Sequence, residues 1–197
     1  MQQTTRVLHL CLKDRHIRAL QEQAHAVNFL WNHCNELSVK VWERELRFLS
    51  GYDFHLFTKG AGRAGLDLHL ATIQAVAEEY AVRRRRACKI KPRWRKSAGV
   101  RRSLGWIPFK ASAIRYRNKR LFFGKMALPL WDCYGLSNFE LGAGNISEDA
   151  RGRWYINISV TLKSQYGPRR FDATRSIGTR LGLKDIAGLS CFDTHRY

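Results

Sequence analysis

Trp154-Tyr155-Ile156-Asn157-Ile158-Ser159-Val160-Thr161-Leu162 (WYINISVTL) is the stretch on which the reading of the fold turns. Trp154, Ile156, Ile158 and Val160 alternate with Tyr155, Asn157, Ser159 and Thr161. A period of two is the pattern of a strand with one face buried and the other wet, the habit of antiparallel sheets. Just upstream, Asn145 to Ser147 forms the other arm of a hairpin, joined through the turn-rich Glu148-Asp149-Ala150-Arg151-Gly152. Ile114-Arg115-Tyr116-Arg117, a turn at Asn118-Lys119, and Leu121-Phe122-Phe123 make a second hairpin.

At the start of the chain, Thr4 to Leu12 (TTRVLHLCL) reads as a short strand, with Val7 and Cys11 on one face and Leu8, Leu10 and Leu12 on the other. Asp14 then stands where a helix N-cap belongs. From there to Ser50, apolar residues fall at Ile17, Leu20, Ala24, Val27, Trp31, Cys34, Leu37 or Ser38, Val41, Leu46 and Leu49, which predicts one long amphipathic helix. Gly51 sits at the expected C-cap, and Tyr52 to Gly65 reads as a Gly-rich loop. A second helix runs from about Leu68 through Ile73, Val76, Ala77 and Tyr80 into Arg83-Arg84-Arg85-Arg86. Gly167-Pro168-Arg169-Arg170 looks like a linker, and Ser176 to Cys191 is a β-like run interrupted at Gly182. The expected class is α+β: a small antiparallel barrel of the oligonucleotide-binding kind, split by a helical insertion.

The chain has 197 residues, 45% hydrophobic and 26% charged, a globular composition. Its 35 Lys and Arg exceed 16 Asp and Glu, for a net charge of +19. The location of the excess is the informative part. Between Tyr80 and Trp131 lie 17 Lys or Arg and no Asp or Glu, whereas the rest of the chain is nearly balanced, with 18 basic and 16 acidic groups. Cations packed without interleaved carboxylates repel one another unless a polyanion lies against them, which points to nucleic acid. Trp94, between Arg93 and Arg95, is the leading candidate to stack on a base. Trp106, Phe109, Tyr116, Trp131 and Tyr134 lie in or beside the same belt and read mostly as core.

Other classes fall away. No run of about 18 apolar residues exists to span a membrane, and Met1 to Leu12 lacks the form of a signal peptide. Five scattered cysteines (Cys11, Cys34, Cys88, Cys133, Cys191) fit a reducing cytoplasm and neither a disulfide framework nor a zinc site, and Cys34 reads as packing. The histidines share no ligand spacing and read as surface or capping residues.

Phe29-Leu30-Trp31-Asn32-His33-Cys34, Ile73-Gln74-Ala75-Val76, Lys91-Pro92-Arg93-Trp94-Arg95-Lys96, the segment from Gly144-Asn145-Ile146 to Ile158, and Ile177-Gly178-Thr179-Arg180-Leu181-Gly182-Leu183-Lys184-Asp185 follow one another in this chain. Together they resemble TnpB, the RNA-guided nuclease of bacterial insertion sequences, and the related miniature type V CRISPR effectors. The resemblance implies a wedge β-barrel from 1–13 and 104–168, a helical recognition lobe over 14–103, and the first strands of an RNase H-like (RuvC) domain over 174–197. It also implies a guide RNA and target DNA as partners in a bacterial cytoplasm, with no membrane.

One departure bears on chemistry. The family's first nuclease strand usually reads G-I-D-L-G-L-K, its Asp holding catalytic metal. Here Arg180 takes that place, and a guanidinium repels the two Mg²⁺ ions that such a site holds about 4 Å apart. Asp185, five residues on, reads as a surface or turn residue, and up to Tyr197 there is no counterpart of the later catalytic carboxylates or the zinc-binding cysteines. The expectation is a chain with no catalytic residue and no Mg²⁺ or structural Zn²⁺ of its own. It would bind a guide RNA and the guide–target heteroduplex without cutting. Two alternatives stand beside it: a piece of an active nuclease whose remainder is absent or on a second protein chain, and a basic RNA-binding module with no DNA target. The expected nucleic-acid contacts are Arg83, Arg84, Arg85, Arg86, Lys89, Lys91, Arg93, Trp94, Arg95, Lys96, Arg101, Arg102, Lys110, Arg115 and Arg117, with Gln74 as a candidate reader of a base edge.

Overall fold

The computed structural model describes residues 2–62, 65–88, 92–118, 120–130, 135–164, 177–180 and 188–191. These fall into two units, Thr4–Leu162 and a second formed by Met1–Gln3 with Lys163–Tyr197. The strands in chain order are β1 (Gln2–Cys11), β2 (Trp106–Phe109), β3 (Ile114–Arg117), β4 (Arg120–Phe123), β5 (Met126–Leu128), β6 (Glu140–Glu148) and β7 (Trp154–Ser164). Three helices, α1 (Ile17–Glu45), α2 (Gly51–Thr58) and α3 (Leu70–Ala87), lie between β1 and β2. In the second unit β8 (Ile177–Arg180) pairs antiparallel with β9 (Gly188–Cys191), placing Arg180 opposite Gly188.

The alternation along β7 is expressed directly: Trp154, Ile156, Ile158 and Val160 are at most 2% exposed. Burying each such side chain stabilises the fold by roughly 1.5–3 kcal/mol. β7 pairs antiparallel with β6, Ile156 opposite Ile146 and Trp154 opposite Glu148. The reversal between them is closed by Asp149, whose carboxylate accepts from the Arg151 and Arg153 N–H groups. β1 and β2 complete a four-stranded sheet in the order β1-β7-β6-β2, with Leu10 buried and Val7 exposed on β1 and Leu12, just past its end, buried.

The predicted barrel does not close. β3, β4 and β5 form their own antiparallel sheet, and among the described residues the two sheets are stitched by a Leu12–Leu130 bridge and a hydrogen bond from the Lys13 N–H to the Pro129 carbonyl. Strands of three or four residues supply too few ladder bonds to carry one sheet into the other, and a 3₁₀ turn at Ala111–Ala113 separates β2 from β3.

Three helix boundaries also differ from expectation. Asp14 opens a short 3₁₀ turn and caps nothing, the position before it being an extended Lys13. α1 ends at Glu45 because Leu46 adopts a left-handed conformation at φ 52°. Ser50 and Asp53 then form a reciprocal capping box, so Gly51 begins a helix rather than ending one, and the supposed loop from Tyr52 is helical as far as Thr58. Gly51 is required for a packing reason: a β-carbon there would lie 2.8 Å from Glu78 Cγ on α3.

Helices and sheet share one core. Tyr80 on α3 meets Trp31 and Phe54 edge-on at 5.1 and 5.4 Å, and Trp31 meets Trp106 of β2 edge-on at 6.0 Å. At the lip of the sheet the Gly105 N–H donates to Glu148 Oε2 and its carbonyl accepts from the Glu148 N–H. A β-carbon at 105 would overlap the buried Trp154 indole. Gly105→Ala is therefore expected to destabilise the fold by about 3 kcal/mol, the upper range for an overpacked core. A urea midpoint equal to that of the wild type would refute this tight approach.

Candidate nucleic-acid interface

α1 carries an amide stripe that apolar periodicity does not reveal. Asn28, Trp31, Asn32 and Asn35 follow steps of three, one and three, so they share one face of the helix. That face holds the segment 92–97. Asn35 Nδ2 donates to the Pro92 carbonyl, Trp31 Nε1 to Arg93 O and Asn32 Nδ2 to Arg95 O, at 3.1, 3.2 and 2.8 Å. The Arg95 N–H returns a bond to Asn32 Oδ1 at 2.8 Å, so this asparagine acts as a strand partner. Asn28 accepts from Arg95 Nε and donates to Ser97 Oγ. Asn35, 1% exposed, also accepts from the Tyr80 hydroxyl at 2.9 Å. Buried amides need such partners, which makes the stripe a docking strip.

The Arg95 and Ser97 side chains meet Asn28 on α1, whereas Arg93, Trp94 and Lys96 are exposed, Trp94 at 55%. The chain then turns back, with Ser103 and Lys96 exchanging hydrogen bonds. The result is a groove of about 660 Å³ whose lining includes Trp31, Arg83, Arg93, Trp94, Arg95, Lys96 and Arg101. The side chains of Arg93, Lys96 and Arg101 have no ion pair or hydrogen bond among the described residues. The Arg83 and Arg95 guanidiniums both lie over the Trp106 ring, at 5.5 and 5.4 Å. Burial holds Arg95 below the ordinary guanidinium range, with Arg83 as the lesser cause. A dianionic or polyanionic occupant would relieve that repulsion, and the exposed Trp94 offers a face for a planar ring.

The four-arginine run is split by the helical turn of 100° per residue. Arg83 faces the groove while pairing with Glu79 at 2.7 Å. Arg84 is 4% exposed, donates to the Cys88 carbonyl and lies over Phe48, so it closes the end of α3. Arg85 and Arg86 are exposed and line a separate hollow of about 380 Å³ between α2 and α3. Arg102 is engaged in a two-pronged pair with Glu148 at 2.6 and 2.7 Å, and Lys110 with Glu78 at 2.7 Å. Arg115 and Arg117 stand exposed on β3, on another part of the unit. Gln74 is half-buried on α3 and does not line the groove. Lys89, Lys91, Trp131, Tyr134, Gly182, Asp185 and the 167–170 stretch lie outside the described residues.

Sequence reasoning missed Asn28, Asn32 and Asn35. The available signal was three amides at helical spacing around a tryptophan, on a helix whose apolar stripe overlaps them. The other polar candidates have structural tasks: His69 caps α3 by accepting from the Ala71 N–H, and burial pushes the Cys34 thiol up to about 12, leaving it an inert packing group. Among the described residues no group of three or more His, Cys, Asp or Glu side chains is placed to hold a metal ion, and no helix is long and apolar enough to cross a membrane.

No family model matches the sequence, and no curated protein matches it. A solved structure that aligns with the chain is the cryo-EM structure of the Cas12f1–sgRNA–target DNA complex, at 12% identity and a TM-score of 0.43. The alignment covers 94% of this chain and 54% of that one, so the chain spans about half the length of its neighbour.

Proposed function

We propose that this chain is a nucleic-acid-binding protein that holds a guide RNA and its pairing with target DNA, and that it does not cut. The single observation that carries the binding is the groove in which Arg93, Lys96 and Arg101, unpaired among the described residues, surround an exposed Trp94. Phosphates neutralise the cations and an unpaired base stacks on the indole, a division of labour that binds single strands without reading sequence. Sequence specificity is then left to base pairing. In this reading the sheets serve as the wedge and the helical segment as the recognition lobe. The strand ending at Arg180 is the counterpart of the family's first nuclease strand. A guanidinium there cannot ligate Mg²⁺, so the donor set does not fit a two-metal centre.

Sequencing the RNA that copurifies with the chain tests the binding half. A fixed scaffold with a variable end is expected, and a random transcript pool would favour a general RNA-binding module instead. Incubation of the loaded protein with matched duplex DNA in Mg²⁺ tests the other half. Retention of intact DNA is the expected result, and guide-dependent cutting by the unmodified chain would overturn the non-cleaving reading.

A further inference from the structure

The three-stranded sheet has an outer face that the groove does not use. Its inner face is apolar: Ile114, Leu121, Phe123 and Leu128 are between 1% and 5% exposed. The alternate residues therefore face outward, and they are Arg115 and Arg117 on β3, Arg120 and Phe122 on β4, and Ala127 on β5. The register sets Phe122 directly between Arg115 and Ala127, and Arg117 directly opposite Arg120. A hollow of about 480 Å³ is lined by Arg115, Tyr116, Arg117 and Phe122.

One feature of this face is costly in an isolated protein. Like charges opposite one another on neighbouring strands destabilise a sheet, and none of the three arginines has an ion pair or hydrogen bond among the described residues. Arg18, Arg47, Arg83, Arg102 and Arg153, by contrast, each pair with a carboxylate. Phe122, half-buried, sets an aromatic ring on the same face, amid the charges. A polyanion offsets that cost, and its planar rings have the open part of the Phe122 ring to stack on.

We infer that this face is a second RNA site, taking an unpaired segment of RNA with its phosphates on Arg115, Arg117 and Arg120 and one base on Phe122. The segment is single-stranded because a base inside a duplex cannot offer its face to a side chain. Two residues along β3 separate the arginines by about 7 Å, a spacing that lets them take neighbouring phosphates of an extended strand. The site shares its ligand class with the groove but none of its residues, so either can fail alone.

The test uses the full chain, a short oligouridine RNA and a duplex RNA of equal length. Replacing Arg115, Arg117 and Arg120 with Ala should reduce the salt slope for the single strand by about 2. Phe122→Ala should weaken single-strand binding about tenfold with the slope unchanged, and Phe122→Tyr should restore it, since stacking needs only the ring. A thiouridine-substituted RNA should crosslink to the Phe122 peptide. It should do so also in a variant lacking Arg93, Lys96 and Arg101, which separates this site from the groove. An unaltered slope in the triple arginine variant, equal loss of single-strand and duplex binding in Phe122→Ala, or no crosslink in β4 of the wild type would each overturn the inference.

Discussion

Replacing Arg93, Lys96 and Arg101 together with Ala is expected to lower affinity for single-stranded RNA on the order of 100-fold at about 0.1 M salt. The magnitude follows from counterion release. Three phosphate contacts contribute roughly 2 to the slope of log affinity against log salt, and a tenfold dilution from 1 M therefore yields about two decades. Because these side chains have no partner among the described residues, their removal should leave the thermal midpoint unchanged. Anisotropy titrations over a salt series check both numbers. Trp94→Ala gives the complementary result: a loss of affinity with the slope preserved, since the indole meets no phosphate. An unchanged slope in the triple variant would place the RNA elsewhere on the protein.

The second large effect concerns Glu148, whose side chain is 1% exposed. It receives both prongs of Arg102 and the Gly105 N–H. Glu148→Ala leaves those donors without an acceptor at the edge of the core and is expected to destabilise the protein by about 3 kcal/mol. The same contacts imply a pH dependence. The hydrogen bonds from Arg102, first, hold the Glu148 carboxyl below the ordinary carboxylate range against the opposing effect of burial. A carboxylate depressed in the folded state contributes stability that is fully present above its unfolded value, about 4.3, and is lost as pH falls through the folded value. Chemical denaturation from neutral pH downward should therefore show wild-type stability falling below about pH 4.3, and a shallower fall in Glu148→Gln. Parallel curves for the two proteins would show that Glu148 carries no such linkage. Arg102, the partner in that pair, keeps a side chain 41% exposed.

Much of the architecture was legible in local pattern. The alternation in 154–162 gave β7 its buried face, the steps of three and four gave α1 and α3, and the Asn118-Lys119 pair marked the turn between β3 and β4. Asn118 does adopt a left-handed backbone there, at φ 52°. The errors came where a local signal has two meanings. Glycine can end a helix or permit a close crossing, and Gly51 does the second because α3 lies against it. Short strands likewise announce a sheet without announcing whether the sheet closes.

The candidate site divides in the same way. Charge is a property of composition, so the basic belt and its lack of carboxylates were plain from the chain alone, as was the place of Trp94 within it. Which cations remain available is decided by partners distant in sequence. Arg102 is taken by Glu148, 46 residues on, and Lys110 by Glu78, 32 residues back. Arg84 is spent at a helix end, and Arg93 is released because Trp31 and Asn35, some 60 residues earlier, hold only the backbone around it. Sequence by itself determined that the protein carries a large positive excess on an α+β frame, because charge and periodicity are local. Only the tertiary structure decided which charges face solvent unpaired, because pairing and burial depend on which distant segments the fold brings within a few ångströms.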